Sequence, residues 1–414
     1  MTDLSSPATD IIDFNNKATP KIAIIGGGLT GLFTATLLER SFSQRGGRSS
    51  SDSKSILSLP EIHIFEKSRS VGRLATRYRT DNKTNRNWQW AFGAQFFTAK
   101  STPFSQFIKP WLETGLLQPW WAKVVDLTPI DELTEHSNQT PVIDYKEQWD
   151  AIHARYISTP KMTSWGRELA GQLQHTIINY KTRVAPLSQH SFIESSAKKT
   201  ELFDEKGASL GQFDWVICTA PNIQAMELMV DSGFNEQAKI TQPKMLACYT
   251  LMLGWEDLQT LPNTLQSTSQ QLWDVAYVQD SILGRVFVEH QKPAHDNLLP
   301  SVTIHARNDW SEQHVDEDIE SIQAQLLAAA KQALNWNDNT APSQVDCHRW
   351  RYAATAADAK NDALGILVDN EHQWIVSGDW CGQGNIESCY QMAEETVQTM
   401  TATINYMATN HQDI

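Results

Sequence analysis

The sequence predicts an α/β protein with two discontinuous domains, and three observations support that prediction. Residues 21–31 pass from a short apolar run, through glycines spaced G-x-G-x-x-G, into a helical pattern. Residues 374–379 form another apolar run, which ends in Gly-Asp and precedes the last helical pattern. Between them, residues 245–307 hold short strands at regular intervals, which is typical of a separate, largely antiparallel sheet. We therefore expect a layer with a parallel sheet from both chain ends and an inserted α+β domain.

The glycine-rich turn has the composition of a phosphate-binding loop. Gly26 permits a tight turn after the strand, Gly28 lets the backbone approach a pyrophosphate, and Gly31 lets helix and strand pack closely. The N–H groups that open the following helix, at Leu29 and Thr30, attract anions together with the helix dipole. The alternative is an ordinary strand-to-helix turn, because glycines serve that purpose as well.

An acidic residue at the end of the next predicted strand favours a dinucleotide. The run 61–65 ends at Glu66, whose carboxylate can accept hydrogen bonds from ribose hydroxyls and would repel a 2′-phosphate. Glu66 lies farther from the glycines than the usual distance of about 20 residues. We attribute the surplus to an inserted Ser/Gly/Arg-rich loop at 41–59. The alternative for Glu66 is a solvated carboxylate at a strand end.

Two segments beyond Glu66 can approach the same ligand. The first contains Lys67, Gly72, Arg73 and Leu74, and its guanidinium can make bidentate contacts with a pyrophosphate. The alternative there is a surface turn with a solvated arginine. The second segment begins with small residues and continues with aromatic ones. This pattern fits either a backbone that passes close under a planar ligand or a plain β-turn. Its candidates are Gly93, Ala94, Gln95 and Phe96.

Composition and charge exclude several classes of partner. A formal charge of −14 over 414 residues argues against general binding to nucleic acid or anionic membranes, which requires a basic face. No apolar run approaches the ~18 residues of a membrane span. Residues 1–18 are polar and acidic, so we expect a disordered tail and not a secretion signal. Five scattered cysteines without a C-x-x-C pair indicate reduced thiols in a cytoplasmic protein, with neither a disulfide framework nor a metal site.

The other chain end holds the second half of the expected site. Gly378 and Asp379 follow the last strand, and ligands bind at the carboxyl ends of parallel strands. Asp379 can accept hydrogen bonds from a polyol. The N–H groups that open the last helix, near Asn385 and Ile386, would face a carbonyl that becomes negative on reduction. FAD has both a ribityl polyol and a reducible isoalloxazine, whereas a nicotinamide dinucleotide has no such polyol.

Together these motifs resemble the FAD-dependent amine-oxidase superfamily and, within it, the renalase-like proteins, especially bacterial ones. The resemblance covers nearly the whole chain. Besides the glycine loop and Glu66, it rests on residues 72–77, 93–98, 162–169, 214–221, 303–306, 310–314, 348–353 and 378–381.

The resemblance implies a Rossmann-like domain that holds FAD non-covalently and a discontinuous substrate domain over the flavin. The FAD-binding domain would comprise 19–98, 161–240 and 345–410, and the substrate domain 99–160 and 241–344. The implied reaction is hydride transfer from the 2- and 6-dihydro isomers of NAD(P) to the flavin, which gives NAD(P)+. Reoxidation by O2 would then release hydrogen peroxide.

The resemblance also suggests further site residues. Val184, Ala220 and Trp350 would border the cofactor. The catalytic candidates, expected in the wall of the substrate pocket, are Tyr277, Arg285, His305, Trp310 and His314. The alternative for each is a structural role, since a histidine on a strand is more often a satisfied core or surface group.

Two segments depart from the family's pattern. Residues 281–285 lack the lysine of a Ser-Lys-Pro-Gly-Arg turn, and residues 382–388 lack an arginine and a glycine close to the flavin. Two other functions stay open: an oxidase of amines or other small molecules on the same scaffold, and a flavin-binding module without activity. The choice between NAD and NADP, the electron acceptor and the oligomeric state are not predicted.

Overall fold

The computed structural model describes residues 19–46, 60–69, 74–130, 140–189, 199–266, 272–356 and 363–410. The predicted tail at 1–18, most of the predicted insertion at 41–59, and both Gly72 and Arg73 lie outside these ranges. For residues 41–46 the predicted loop is wrong, because helix α1 extends from Leu29 to Gly46. Phe42 is buried and continues the apolar face of the helix.

A six-stranded sheet forms the first layer. Its order is β18 (Leu367–Asp369), β19 (Trp374–Val376), β12 (Trp215–Cys218), β1 (Lys21–Ile25), β2 (Glu61–Glu66) and β9 (Thr176–Tyr180). All neighbours pair in parallel except β18, which is antiparallel to β19. The apolar side chains of β1 are buried on both faces, as expected for the centre of such a sheet. The carboxyl ends of β1, β2, β12 and β19 therefore meet along one edge, which confirms the predicted α/β class with a largely parallel sheet.

Helices lie against both sheets, and aromatic rings join four of them beside the six-stranded sheet. The helices of the described residues are α1, α2 (Thr102–Glu113), α3 (Met162–Gln172), α4 (Asn222–Met229), α5 (Gln237–Ile240), α6 (Asn308–Gln313), α7 (Ile319–Leu334) and α8 (Ile386–Asn410). The ring of Phe33 on α1 lies within 6.2 Å of four others, those of Phe104, Phe107, Trp165 and Tyr390. This cluster ties α1 to α2, α3 and α8. None of the described helices combines the length and the apolar character that a membrane crossing needs.

A seven-stranded sheet forms the second layer. Its order is β17 (Gln344–Thr355), β13 (Met245–Gly254), β16 (Ser301–Ala306), β15 (Leu283–Val288), β14 (Val275–Val278), β6 (Lys123–Thr128) and β7 (Val142–Gln148). Only β6 and β14 pair in parallel. The sheet thus joins residues from both proposed parts of the substrate domain, and α7 packs its buried face on it.

Strand β17 belongs to this second sheet. It pairs with β13 in antiparallel register, with Thr250 opposite His348 and Cys248 opposite Trp350. The sequence pattern had placed the return to the first layer at 345, whereas the chain rejoins the six-stranded sheet only at β18. Strand β17 mixes polar and apolar residues, which fits a strand of either sheet, so its composition alone could not decide between them. The division into domains stays a proposal.

Short two-stranded ribbons connect the layers. They are β3 (Thr76–Thr80) with β4 (Asn87–Ala91), β5 (Leu117–Pro119) with β8 (Tyr156–Ser158), and β10 (Thr200–Phe203) with β11 (Ser209–Phe213). Strand β4 is fixed by two buried tryptophans. Trp88 Nε1 donates to Trp255 O at 2.8 Å, and Trp90 Nε1 donates to Leu253 O at 3.0 Å. The segment after β4, residues 92–98, is thereby held against the end of β13.

Candidate active site

The glycine loop joins β1 to α1. It packs tightly at Gly26 and Gly31 and borders open space at Gly28. Gly26 has a φ of +119°, and a Cβ there would lie 2.6 Å from Thr219 Oγ1. A Cβ on Gly31 would lie 2.1 Å from Gly26 O. Around Gly28, by contrast, no described atom lies within 4 Å of a Cβ position. The N–H groups at the start of α1 lack partners within the helix, so this open space meets a surface that suits an anion.

Glu66 ends β2 beside this loop. Its carboxylate is buried and accepts from Gly27 N and from Ser68 N, each at 2.7 Å. The residue therefore fixes the glycine loop as well as its own turn. Each carboxylate oxygen keeps a further lone pair, so the predicted acceptance of a ribose hydroxyl stays compatible with this geometry.

A cavity of about 1450 Å³ extends from the glycine loop to the second sheet. It exceeds the ~300–1,000 Å³ of an ordinary small-molecule site, so it has room for a dinucleotide and a second molecule. It brings together most residues that the sequence predicts for the site: Gly26, Gly28, Leu29, Thr30, Glu66, Lys67, Leu74, Gly93, Ala94, Gln95, Phe96, Val184, Ala220, Tyr277, Arg285, His305, Trp350, Asp379, Asn385 and Ile386.

Four predicted residues lie elsewhere. Gly31 packs beneath the glycine loop, and Gly378 packs on the indole of Trp380, 2.6 Å from a Cβ position. Trp310 and His314 stack on each other with centroids 4.4 Å apart, outside the cavity lining. Their place in the pocket wall is therefore corrected, because α6 turns them towards β13 and the carbonyl of His314 accepts from Tyr249 Oη at 2.8 Å.

The far end of the first layer is organised by the loop before α8. Asn385 caps that helix, since its Oδ1 accepts from Ser388 N at 2.9 Å. Gly384 has a φ of +68° and a Cβ site 2.4 Å from Thr355 Oγ1, so the loop lies tightly against β17. Asp379 lines the cavity beside them. Asp379 and the residues that open α8 thus line the same part of the cavity.

Thiols in this region are protonated. Burial raises the pKa of Cys248, on the cavity wall, to about 12. Burial also raises the pKa of Cys381 well above its usual value, and its side chain lies outside the cavity lining. Neither sulfur has the character of a nucleophile, which is consistent with the expected non-covalent cofactor.

His305 and Tyr277 form part of the wall that the second sheet contributes. Burial, followed by the nearby charges of Arg285 and Lys292, lowers the pKa of His305 to about 3. The imidazole is therefore neutral at physiological pH. The ring of Tyr277 lies between two cations, with Arg285 Cζ at 4.9 Å and Lys146 Nζ at 4.8 Å from its centroid.

Sequence reasoning did not assign two residues of the same wall, Arg307 and Arg349. Arg307, Arg349 and Arg351 line the cavity together with Arg285. The first is paired with Asp309, also in the lining, at 2.5 Å between Nη2 and Oδ2. Arg351 pairs with Asp316 at 2.8 Å, and Arg349 donates to backbone carbonyls. Within the described residues Arg285 forms no ion pair. The arginines at 349 and 351 were visible in the sequence. Their position at the cavity follows only from the pairing of β17 with the second sheet.

Aromatic rings close the cavity between the two layers. Phe92 stacks on Trp350 with centroids 5.3 Å apart, and the Trp350 indole donates to Phe92 O at 2.8 Å. His348 meets the Phe92 ring edge-on at 4.9 Å, and burial lowers its pKa to about 4. The predicted contact of Trp350 with a planar ligand therefore involves a preformed aromatic surface. Phe92 had no distinguishing pattern in the sequence, and His348 entered only as part of the motif at 348–353.

Comparison with known proteins defines the fold. No protein-family model matches the chain. A protein from Exiguobacterium sp. 255-15, described as a protoporphyrinogen oxidase, superposes with a TM-score of 0.63 over 93% of this chain and 99% of its own, at 14% identity. The chain has the fold of that protein. Putrescine oxidase bound to putrescine gives a TM-score of 0.60 at 11% identity, over 93% and 99% of the two chains. Cyclohexylamine oxidase from Brevibacterium oxydans gives 0.63 at 10%, over 94% and 100%.

Proposed function

We propose that this protein is an FAD-dependent oxidase of dihydronicotinamide dinucleotides, acting on the 2- and 6-dihydro isomers of NAD(P) and yielding NAD(P)+. The observation that carries the proposal is the single cavity that joins the glycine loop to a cationic wall. One end suits a dinucleotide cofactor, and the other suits an anionic substrate with a planar ring. The resemblance of the sequence to renalase-like proteins supports the same assignment.

The residues of the first layer fit FAD. The open space at Gly28 admits a pyrophosphate at the start of α1, and Glu66 lies beside it for a ribose. At the other end, Asp379 suits the ribityl hydroxyls, while Asn385 and the first N–H groups of α8 suit the pyrimidine edge. When bound, FAD would supply the redox chemistry: it would take a hydride from the substrate and pass it, together with one proton from solvent, to O2 as hydrogen peroxide. The protein then has to orient the donor ring and exclude water.

The charges of the second sheet favour an anionic substrate over an amine. Among the described residues that this sheet and α6 contribute to the cavity, the charged ones are four arginines and one aspartate: Arg285, Arg307, Arg349, Arg351 and Asp309. A protonated amine would meet net positive charge and a neutral His305. A dinucleotide pyrophosphate would meet guanidinium groups, which bind it bidentately.

An anaerobic reduction experiment tests the proposal. The protein is purified with its cofactor, and its visible spectrum is recorded before and after the addition of 2-dihydroNAD, 6-dihydroNAD or a simple amine. We expect the flavin absorption to bleach with the dihydronicotinamides only, and admission of O2 to restore it with release of hydrogen peroxide. A protein that is colourless, and stays so after incubation with FAD, would contradict the proposed cofactor.

An amine oxidase is the second candidate. The fold shared with putrescine oxidase and cyclohexylamine oxidase favours it. Bleaching by an amine, with no response to the dihydronicotinamides, would select this function. A flavin that neither class reduces would indicate a binding module without oxidase activity.

A further inference from the structure

A chain of buried polar contacts leads from Lys292 to the cavity. Lys292 Nζ donates to Gln95 Oε1 at 2.8 Å. The Gln95 amide nitrogen donates to Ala91 O and lies 3.4 Å from His305 Nε2. Gln95 and His305 line the cavity, whereas Lys292 lies behind them and outside its lining. A cation without access to the cavity is therefore connected to a side chain inside it.

Lys292 is held firmly in place. Its ammonium lies 2.9 Å from Glu289 Oε2, and the two side chains are 2% and 0% exposed. Glu289 Oε1 in turn accepts from Thr303 Oγ1 at 2.5 Å and from Ala91 N at 3.2 Å. A buried ion pair costs desolvation, so further hydrogen bonds to the carboxylate are needed to keep it. Here those bonds come from β16 of the second sheet and from β4, which fixes the position of the ammonium relative to Gln95.

The donors and acceptors of Lys292, Gln95 and His305, which we call the relay, permit one arrangement of protons. An ammonium can only donate, so the Gln95 atom that faces Lys292 is the amide oxygen. The amide nitrogen then faces Ala91 O, Gly93 O at 3.5 Å and His305 Nε2 at 3.4 Å, and it too can only donate. His305 Nε2 must therefore accept. In a neutral imidazole the other nitrogen then carries the proton. Nδ1 has no hydrogen-bond partner among the described residues, so its N–H is available to a ligand.

We propose that Lys292, acting through Gln95, is a positioning residue that holds His305 in the Nδ1-protonated tautomer and so determines which substrates the cavity accepts. The inference rests on the proposed function. In this tautomer His305 presents an N–H donor, which suits a carbonyl acceptor such as the carboxamide of a nicotinamide. The opposite tautomer would present a lone pair, which repels a carbonyl and attracts an ammonium. Lys292 thus selects carbonyl-bearing rings over amines without touching either.

The tautomer is directly measurable by NMR. Protein labelled with ¹⁵N-histidine and carrying its cofactor is examined by long-range ¹H–¹⁵N correlation, and the His305 peaks are identified by their loss in His305→Gln. We expect a protonated Nδ1 and an unprotonated Nε2. An Nε2-protonated His305 in the wild-type protein would overturn the proposal without any further variant.

Two variants of the contacts between Lys292, Gln95 and His305 test whether these contacts determine the tautomer of His305. Gln95→Glu keeps an acceptor for Lys292 but turns a second acceptor towards His305, so the proton should move to Nε2. The double variant Lys292→Met/Glu289→Gln removes both charges and frees the amide, so both tautomers should be populated. An unchanged His305 spectrum in both variants would contradict the proposal. If Gln95→Glu does not fold, the double variant and the wild-type spectrum decide.

Gln89→Glu is the matched control. Gln89 is 5% exposed and Gln95 4%, and Gln89 Nε2 contacts His295 Nε2 at 3.0 Å, so the chain contains a second buried Gln–His pair. This variant should alter the peaks of His295 and leave those of His305 unchanged. A change in the His305 peaks would show that any buried carboxylate perturbs them. It would overturn the proposal that Lys292 acts on His305 through Gln95.

A ligand titration separates this inference from the proposed function. NAD+ carries the carboxamide but cannot donate a hydride, so its affinity is measured calorimetrically without turnover. We expect Gln95→Glu to weaken NAD+ binding about tenfold when the two proteins are compared at equal FAD content, because the carboxamide oxygen of NAD+ loses its donor. If NAD+ does not bind the wild-type protein, the proposed function fails, while the NMR result still decides the tautomer. Equal affinities in wild type and Gln95→Glu would overturn the selecting role.

Discussion

Gly28 and Gly31 lie in the same loop but have opposite surroundings. We expect Gly28→Ala to change the free energy of unfolding by less than about 1 kcal/mol, since no described atom lies within 4 Å of its Cβ site. The same variant should weaken FAD binding about tenfold or more, because the methyl group occupies the space proposed for the pyrophosphate. FAD titration of the apoprotein measures this effect.

Gly31→Ala is the counterpart of that variant. Its Cβ would lie 2.1 Å from Gly26 O, a backbone atom that cannot move away easily. We expect a loss of about 2 kcal/mol or more in urea unfolding, as for other overpacked sites. Equal stability of the two variants would contradict the packing described for this loop.

His305 makes stability depend on pH. In the unfolded chain His305 binds a proton below about pH 6.5. In the folded protein its pKa is about 3, so it stays neutral down to about pH 3. Between these values the unfolded state holds more protons, so stability is lost as pH falls from 6.5 towards 3. His305→Gln should therefore reduce the difference in unfolding free energy between pH 7 and pH 5 by on the order of 2 kcal/mol.

Urea unfolding at the two pH values provides the measurement. His153→Gln is the control, because the His153 side chain is 75% exposed. If the His305→Gln protein kept the pH dependence of the wild type, the neutral state of His305 would be disproved.

At the scale of elements, strand β4 depends on a glycine that faces a tryptophan. A Cβ on Gly254 would lie 2.6 Å from the Trp88 indole, whose N–H donates to Trp255 O. We expect Gly254→Ala to destabilise the protein by about 1–3 kcal/mol, because the ring has to move and its hydrogen bond is strained. Thermal and urea unfolding measure the loss.

Gly171→Ala is the matched substitution in a helix. Its Cβ site has no described neighbour within 4 Å, and alanine favours a helix over glycine by up to about 1 kcal/mol. This variant should be neutral or more stable. If both variants lost the same stability, the contact between Trp88 and β13 would not be the cause.

Elements built from local patterns were predictable, and elements defined by distant partners were not. The glycine loop and the end of β2 carry their chemistry within a few residues, so the sequence located Gly28 and Glu66. The composition of β17, a mixture of polar and apolar residues, fits either sheet, and only its pairing with β13 shows where Arg349 and Arg351 lie. The relay shows the same limit, because Gln95, Lys292 and His305 meet only through the fold.

At the scale of the whole molecule, a strongly acidic chain presents arginines to its cavity. The formal charge is −14, yet the second sheet directs Arg285 and three further arginines to the cavity. We expect Arg285→Gln to weaken NAD+ binding about threefold to tenfold and to make it less sensitive to salt, because exposed charges are screened within ~10 Å at 0.1 M salt.

Calorimetric titration at low and moderate ionic strength measures both effects. Arg155→Gln is the control, because its guanidinium lies over the Trp149 ring and outside the cavity lining. Similar behaviour of the two variants would show that net charge, and not the local wall, governs binding.

The six-stranded sheet draws its central strands from widely separated parts of the chain. β1 carries the glycine loop, while β19 and the loop before α8 hold the other half of the proposed cofactor site. On the ribosome, at about 5–20 residues per second, the first half emerges roughly 20–70 s before the second. The glycine loop must wait through that interval without the elements that complete its site. We therefore expect FAD, the cofactor that we propose, to bind only after both parts of the site have been synthesised.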